Sequence, residues 1–541
     1  MKLYKNSIKI ALPLALIAIL LNACTKLNEG LNSTLSVGQV AATPGSTDGL
    51  LAAAYSDLGG LLHGQDQLFS LQENTTDESL VPTRGGDWDD NGVWRVLHSH
   101  TWNANHGQIL SVFNNLNKLN FDGTNVLLFK PTVAQDAEAR FLRALSLYHL
   151  LDLYGQYPFR NPGENLLNAP VVKSGTEAID FIISELNAVL PNLKATNGST
   201  LANPDAARFL LMRCYLNKGA FTSRAAPTFA AGDMQQVITL GNAIISSAKY
   251  SYSANYFDNF SPDNDVKSTE GIFTYSNTGG VSANNGGPQA RWNMTLHYNS
   301  YTPRNPNAGW NGFSTIAEFY SSFGVSAPTT FTPADTLLDK RLGGRYYAGA
   351  TNKSGLRPGF LVGQQYNELG EALKDRKGNP LAYNPTIAAN MIETGSNLEV
   401  TGIRVVKYVP DYAYYGGPAG NDLMIFRYAD VVLMVAEAEQ RTGDAASALV
   451  LINQLRAARG ASVVASMPLV NASNVDDPNT LLAERGRELY WESVRRTDLI
   501  RFGVYLKPWG LKPSDDPKNL IFPVPSQALA ANPNLKQNTG Y

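Results

Sequence analysis

Tryptophan and tyrosine side chains stand beside short polar side chains in two loop-like parts of this 541-residue sequence. The first cluster consists of Arg84, Asp87, Trp88, Trp94, Trp102 and Asn103, and the second of Trp292, Tyr298, Trp310 and Tyr320. Sugars offer hydroxyl groups that bond to planar polar groups and C–H faces that pack on aromatic rings. We therefore expect two or three of these tryptophans to face solvent around one shallow ligand-binding site, although large aromatic side chains are mostly buried on average. A third candidate group, which could instead pack against a partner protein, is Tyr412, Tyr414 and Tyr415.

Metal-binding and catalytic patterns are incomplete. Asp87, Asp89, Asn91 and Gly92 match the first half of a calcium loop, but its twelfth position is His98 where a bidentate glutamate is needed. The nearby histidines have a spacing that suits no standard metal site: His98, His100 and His106. Serine-hydrolase elbows, phosphate loops and zinc-protease motifs are absent. We therefore predict no metal, no cofactor and no enzymatic activity, with a glycoside hydrolase as an alternative because its two carboxylates need no motif.

The N-terminus has the pattern of a bacterial lipoprotein signal. Lysines at positions 2, 5 and 9 precede an apolar stretch at residues 10–21, and Leu21-Asn22-Ala23-Cys24 follows. This pattern predicts removal of residues 1–23 and acylation of the Cys24 thiol and its new amino group. Several acyl chains anchor a protein stably, so the remaining chain should lie outside the membrane on its lipid anchor. A plain secretory peptide with an incidental cysteine is the alternative.

The overall composition indicates no charged partner. The net charge is -2 and charged residues make up 17% of the chain, which argues against a nucleic-acid partner. Cys214 has no second cysteine to pair with once Cys24 is acylated, and its helical surroundings predict a buried thiol.

Apolar residues at helical spacing predict a chain built largely of helices. The segments are 46–58, 104–119, 132–153, 177–190, one that begins at Asn203, 232–246, 427–441, 444–459 and 480–494. Several follow one another in pairs with small residues at the expected crossings, as in the helical hairpins of a tetratricopeptide solenoid. Between them, residues 252–420 are rich in Asn, Gly, Ser and Thr and read as long decorated loops.

Four segments carry a family resemblance. They are Ala139-Arg-Phe-Leu-Arg-Ala144 running on to Leu153-Tyr-Gly-Gln-Tyr-Pro-Phe159; Arg427-Tyr-Ala-Asp-Val-Val-Leu-Met-Val-Ala-Glu-Ala438; Glu484-Arg-Gly-Arg-Glu-Leu-Tyr490 with residues 495–503; and the tail from Phe522 to Tyr541. In this order, behind a lipoprotein signal, they resemble the SusD/RagB family of outer-membrane nutrient-binding lipoproteins.

The resemblance implies a mainly α fold of tetratricopeptide-like hairpins with a loop-rich inserted subdomain containing short strands. The expected regions are a signal peptide (1–23), an N-terminal helical region (24–250), an inserted ligand-binding subdomain (251–420) and a C-terminal helical region (421–541). It also implies a non-catalytic, surface-exposed lipoprotein of the outer membrane that captures oligosaccharides for a SusC-like TonB-dependent transporter. A peptide-binding family member and a structural helical-repeat scaffold are alternatives. The ligand site would involve the first tryptophan loop, but the family offers no fixed binding motif to transfer.

The charged residues of these motifs are predicted to be structural. Carboxylates at positions 484, 488 and 492 fall on one helix face, with Arg487, Arg495 and Arg496 at the spacing that could neutralise them. Arg140 and Arg143 should pair with acids on neighbouring helices.

Overall fold

The computed structural model describes residues 45–281, 287–300, 309–324, 339–343, 357–367, 370–414 and 418–541. The predicted signal peptide and Cys24 lie outside these residues. The described helices are α1 (Ser46–Leu62), α2 (Leu68–Glu73), α3 (Val93–His98), α4 (Gly107–Val126), α5 (Val133–Tyr154), α6 (Gly175–Val189), α7 (Pro204–Thr222), α8 (Ala231–Ile245), α9 (Asn264–Lys267), α10 (Ala290–Asn293), α11 (Ala317–Ser321), α12 (Tyr428–Arg441), α13 (Ala445–Ala458), α14 (Leu481–Leu489), α15 (Arg495–Arg501) and α16 (Ser526–Ala531). None of them is both long and apolar enough to cross a membrane.

Long helices form a continuous row of packed neighbours. Helix α4 packs on α5, α5 on α6, α6 on α7 and α7 on α8; α8 then packs on α12, and α12 on α13. The helix ends carry their own signals: Thr132 and Gln135 form a capping box before α5, and Asn203 accepts two backbone N–H groups at the start of α7. The predicted mainly helical fold of tetratricopeptide-like hairpins is confirmed.

Short strands connect the helical row to the loop-rich part. They are β1 (Thr83–Arg84), β2 (Gln156–Phe159), β3 (Val171–Ser174), β4 (Gly271–Tyr275), β5 (Gly359–Leu361), β6 (Gly363–Gln364), β7 (Ala382–Tyr383), β8 (Ile392–Glu393), β9 (Arg404–Val406) and β10 (Leu423–Arg427). Strand β4 pairs antiparallel with β10, which leads directly into α12. The loops between β4 and β10 therefore leave and rejoin the helical row at neighbouring points. They contribute Trp292, Phe313 and Tyr383 to a second, aromatic-rich core that also includes Trp94 and Trp491 from outside these loops.

A buried ion network fixes the two parts to each other. Glu488 on α14 accepts from Arg427 at 2.6 Å and from Arg459 at 2.7 Å, and Arg341 lies 3.2 Å from the same carboxylate. All four side chains are at most 2% exposed. Each guanidinium comes from a different segment. The carboxylate of Glu488 therefore joins Arg341 of the inserted part to the start of α12 and to the end of α13.

The sequence pattern assigned the partners of this network only in part. Glu484 does pair with Arg487. Burial alone would raise the pKa of Glu484, but Arg341, Arg487 and Arg456 lower that pKa to about 2. Arg495 instead pairs with Asp77, which lies outside α14. The prediction that one helix neutralises its own charged face is therefore confirmed for Glu484 and Arg487 and wrong for Arg495. The other partners come from distant segments that tertiary folding brings to α14.

Two other expectations have clear outcomes. Arg140 and Arg143 both bond to Glu185 on α6, as predicted for acids on a neighbouring helix. The predicted helix at 480–494 is wrong at its C-terminal end, because α14 ends at Leu489 and Trp491 has a φ of 58°. That left-handed conformation breaks the helix.

Candidate functional site

Trp310 lies on a turn that backbone hydrogen bonds hold in place. Its side chain is 37% exposed. The Trp310 amide donates to the Asn293 carbonyl at 2.6 Å, and the Asn311 amide donates to the Leu296 carbonyl at 2.7 Å. The Asn311 side chain accepts from buried Arg404 at 2.8 Å. The turn thus presents a large ring face to solvent from a fixed backbone.

Trp88 supports this turn from the first tryptophan loop. Its indole Nε1–H donates to the Trp310 carbonyl oxygen at 2.7 Å. The half-buried Trp88 ring contacts Trp94 and Phe313 edge to face, with centroids 5.3 and 5.4 Å apart, and Trp94 and Phe313 contact each other at 5.3 Å. A Cβ at Gly312 would lie 2.4 Å from Trp88 Cε2, so only glycine permits this approach. Trp88 therefore positions the Trp310 turn.

Tyr298 lies half-exposed beside this turn within a set of charged side chains. Its hydroxyl donates to the Asp87 carboxylate. The Arg376 guanidinium lies 4.0 Å from the Tyr298 ring centroid, 3.7 Å from Asp87 Oδ2 and 2.6 Å from Glu399 Oε1. Arg376 therefore covers part of the tyrosine ring and joins two carboxylates that are far apart in the sequence.

Ionisation states in this cluster follow from burial and pairing. Burial lowers the pKa of His297, which bonds to Glu399 at 2.8 Å, to about 4. Although burial alone would raise it, hydrogen bonds from the Arg376 backbone and guanidinium lower the pKa of Glu399. At neutral pH the cluster therefore contains a neutral histidine and an ionised glutamate. Asp87 and Arg376 remain about half exposed and can bond to a ligand.

The two predicted clusters meet at this surface, although they are about two hundred residues apart in sequence. The hydrogen bonds just described join Asp87 to Tyr298 and Trp88 to Trp310. A ring face next to exposed donors and acceptors of both signs can stack on a sugar ring and bond to its hydroxyl groups. We define Asp87, Trp88, Tyr298, Trp310 and Arg376 as the candidate site.

Several predicted site residues are buried and cannot present a ring face or a guanidinium to a ligand. Trp292 and Tyr320 are fully enclosed in the core of the inserted part, and Trp94 is 4% exposed. Arg84 is 1% exposed and bonds to the Thr401 carbonyl at 2.8 Å and to Ser314 at 3.3 Å. The expectation that these residues line an open surface is corrected by the packing of the inserted part around them.

Trp102 and Asn103 contact residues outside the candidate site. The buried Trp102 ring is 4.7 Å from Phe522, and its Nε1–H donates to the Tyr541 hydroxyl at 2.7 Å. Trp102 therefore fastens the C-terminal tail. Asn103 is exposed, and its side chain caps the Asn105 amide.

The sequence did not reveal Arg376 as a site residue, nor Glu399 and His297, which hold it in place. Arg376 lies in the polar turn Lys374-Asp-Arg-Lys-Gly-Asn379, which has no aromatic neighbour to attract notice. Of the third tyrosine group, Tyr414 is 44% exposed, and Tyr415 lies outside the described residues.

The partial calcium pattern uses its side chains for other contacts. Asp89 pairs with Arg95 at 3.1 Å, and Asp90 accepts from Trp94 Nε1 at 2.7 Å. His98 is buried between the carbonyls of Ser79 and Gly510. Within the described ranges, His, Cys, Asp and Glu side chains form no group of three or more that could hold a metal ion.

Comparisons with known proteins agree with this architecture. A model of the SusD family matches residues 269–514. The starch-binding protein SusD of Bacteroides thetaiotaomicron is 28% identical over 518 residues, which cover 89% of this chain and 88% of that protein. A SusD-like protein from Bacteroides fragilis has a TM-score of 0.68 at 19% identity, covering 93% of this chain and 98% of that one.

Two further solved structures share the fold. A laminarin-binding SusD-like protein has a TM-score of 0.66 at 20% identity, and covers 92% of this chain and 99% of its own. The surface glycan-binding protein A from Bacteroides uniformis has a TM-score of 0.65 at 18% identity, with 92% and 99% of the two chains covered. Residues 269–514 thus match the SusD family model, and the sequence relative and the solved structures are similar to this chain over most of its length.

Proposed function

We propose that this protein is a non-catalytic, lipid-anchored surface protein that binds oligosaccharides at the candidate site and delivers them to a TonB-dependent outer-membrane transporter. The observation that carries the proposal is the exposed Trp310 ring, held on a fixed turn beside Tyr298, Asp87 and Arg376. A preorganised ring costs little ordering entropy when a ligand stacks on it. Polar groups at its edge then select the orientation of the hydroxyl groups.

Relatives support a carbohydrate as the ligand class. The sequence relative is described as starch-binding, and two of the solved structures are described as binding laminarin or surface glycans. These glycans differ from one another, so the proposal for this chain is a glycan without a named sugar.

The charge state of the site supports binding without catalysis. A glycoside hydrolase needs one carboxylic acid that keeps its proton near neutral pH and a second carboxylate across the scissile bond. Here Glu399 has a lowered pKa and is already paired with Arg376 and His297. Asp87 accepts a hydrogen bond from the Tyr298 hydroxyl, and its half-exposed carboxylate can still accept one from a ligand hydroxyl.

The anchor and the partner are the parts of the proposal that derive from the N-terminal sequence and the family. In this arrangement acylated Cys24 attaches the body to the outer membrane at the cell surface. Residues 24–250 and 421–541 supply the helical scaffold, and residues 251–420 supply Tyr298, Trp310 and Arg376 as the inserted part of the site. The SusC-like transporter would receive the ligand.

Calorimetric titration with soluble starch, with laminarin and with a mixed peptide digest tests the ligand class. We expect binding to at least one of the two glycans, and Trp310→Ala should weaken it by about 1–3 kcal/mol as for a hot-spot ring. Tyr414→Ala removes another exposed ring and serves as the matched control, which should bind like the wild type. Binding of peptides alone would establish the peptide alternative, and released sugar products would establish a hydrolase.

A further inference from the structure

Two leucines stand clear of the surface at the tip of the loop between β2 and β3. Leu166 is 64% exposed and Leu167 is 92% exposed. The loop is nevertheless held in place, because the Arg160 guanidinium donates to the carbonyls of Asn165 at 2.9 Å, Leu166 at 3.3 Å and Asn168. A fixed loop that exposes two adjacent large apolar side chains indicates a surface that is covered in the working protein.

The leucine loop and the start of α1 both lie near residues 128 and 129. A Cβ at Gly163 in this loop would lie 3.6 Å from Leu128 Cδ2. The next residue, Phe129, accepts a hydrogen bond from the Thr47 hydroxyl at 2.9 Å, at the start of α1. The leucine loop is therefore linked to the start of α1 through residues 128 and 129.

Other exposed apolar side chains occur on the elements around this point. Val133 at the start of α5 is 68% exposed, Phe121 near the end of α4 is 43% exposed, and Val171 at the start of β3 is 54% exposed. Gln135, two residues after Val133, bonds to Asp48 on α1. We call Phe121, Val133, Leu166, Leu167 and Val171 the entry face.

We infer that the entry face rests on the lipid bilayer, with Leu166 and Leu167 inserted at the boundary between headgroups and acyl chains. The inference rests on the lipid anchor of the proposed function. Residues 24–44 separate Cys24 from the described chain, and a fully extended chain of this length reaches at most about 75 Å. This segment continues into α1, and attachment at Cys24 raises the effective concentration of bilayer near the body, so a weak apolar contact is enough to orient it.

A bilayer explains the shape of this surface better than a protein partner does. Stable protein interfaces are broad and well packed around central anchors. The leucine pair instead forms a narrow tip, and interfacial insertion needs apolar groups that reach only about 5–10 Å into the headgroup boundary. Contact there would fix the orientation of the anchored body relative to the membrane.

A single fluorophore at the loop tip tests the inference on the full mature chain. Leu167→Cys provides one reactive thiol, because Cys214 is buried and Cys24 carries acyl groups in the anchored protein. The matched control is Val450→Cys on α13, an exposed apolar position at 57% exposure. Each variant carries the polarity-sensitive probe NBD and is reconstituted on phosphatidylethanolamine–phosphatidylglycerol vesicles with nitroxide lipids. Mass analysis first establishes that the protein is acylated.

The expected result is a blue shift and nitroxide quenching at position 167 with neither change at position 450. If the acylated protein leaves the probe at 167 as exposed to water as the probe at 450, the inference is overturned while the anchor stands. A shift at 167 that occurs only when the transporter is added would also overturn it, in favour of a protein contact. An unacylated mass would contradict the anchor itself, before any vesicle is used.

Discussion

Gly312→Ala should weaken glycan binding without removing any group that touches the ligand. The new Cβ would lie 2.4 Å from Trp88 Cε2 and 2.8 Å from Trp88 Nε1, well inside ordinary contact distance. The indole must shift, and its 2.7 Å hydrogen bond to the Trp310 carbonyl is then lost. Because that bond fixes the turn that carries Trp310, the binding free energy of the ligand is reduced by the cost of restoring the ring position.

The magnitude follows from the contacts that the shift removes. A hydrogen bond contributes about 0.5–1.5 kcal/mol net. Edge-to-face contacts of the Trp88 ring with Trp94 and Phe313 add about 0.5–1.5 kcal/mol each when intact. We expect the part of this loss that reaches the ligand to be about 1–2 kcal/mol, or roughly 5- to 30-fold in Kd. Trp88→Phe keeps an aromatic ring but removes the donor and part of the indole, so its loss should be at least that of the hydrogen bond, about 0.5–1.5 kcal/mol.

Calorimetric titration with the glycan that the wild type binds measures the Kd of each variant. Circular dichroism verifies that each variant is folded. Gly86→Ala, in the loop that carries Trp88, is the matched glycine-to-alanine control, since a Cβ there meets nothing within 4 Å. It should leave the Kd unchanged. Wild-type affinity for Gly312→Ala in a folded protein would refute the positioning role of Trp88.

Two further predictions concern stability, each measured by urea unfolding. Glu488→Gln should lower the free energy of unfolding by about 3–5 kcal/mol, because three buried guanidinium groups lose their shared carboxylate; Glu177→Gln, at a carboxylate that is 66% exposed, should cost under about 1 kcal/mol, and an equal loss in both would contradict the network. Burial raises the pKa of Glu78, which lies beside Glu73, Asp77 and Arg495, to about 8. The stability that its proton confers on the folded state is therefore complete below about pH 4.5 and is lost as the pH rises to about 8. Glu78→Gln should therefore gain stability relative to the wild type over this range, by at most about 1.4 kcal/mol per pH unit, and a constant difference between the two proteins would count against the buried proton.

Helices with strong local signals could be predicted from the sequence. Helix α5 begins at its capping box and ends at Gly155, which adopts a left-handed conformation with a φ of 71°. Helix α7 follows an asparagine cap and a proline at its first position. Helix α14 was predicted too long, because no local residue announces the reversal at Trp491; the buried Glu78 carbonyl that accepts its indole N–H is 413 positions away.

The candidate site could be predicted only in outline. Trp292 and Trp310 have similar neighbours in the sequence, Arg-Trp-Asn and Gly-Trp-Asn, yet one is fully buried and the other is exposed. Burial depends on what the fold places against each ring, and spacing does not reveal this. The local hint was Gly309, where a Cβ would lie 2.2 Å from the His297 carbonyl oxygen and so would prevent the turn from packing closely.

A crystal structure of this protein with a bound oligosaccharide tests the central claim most directly. The account predicts a sugar ring stacked on the exposed face of Trp310, with hydroxyl groups bonded to Asp87 or Arg376. A sugar bound at another surface, with the Trp310 ring still open to solvent, would contradict it.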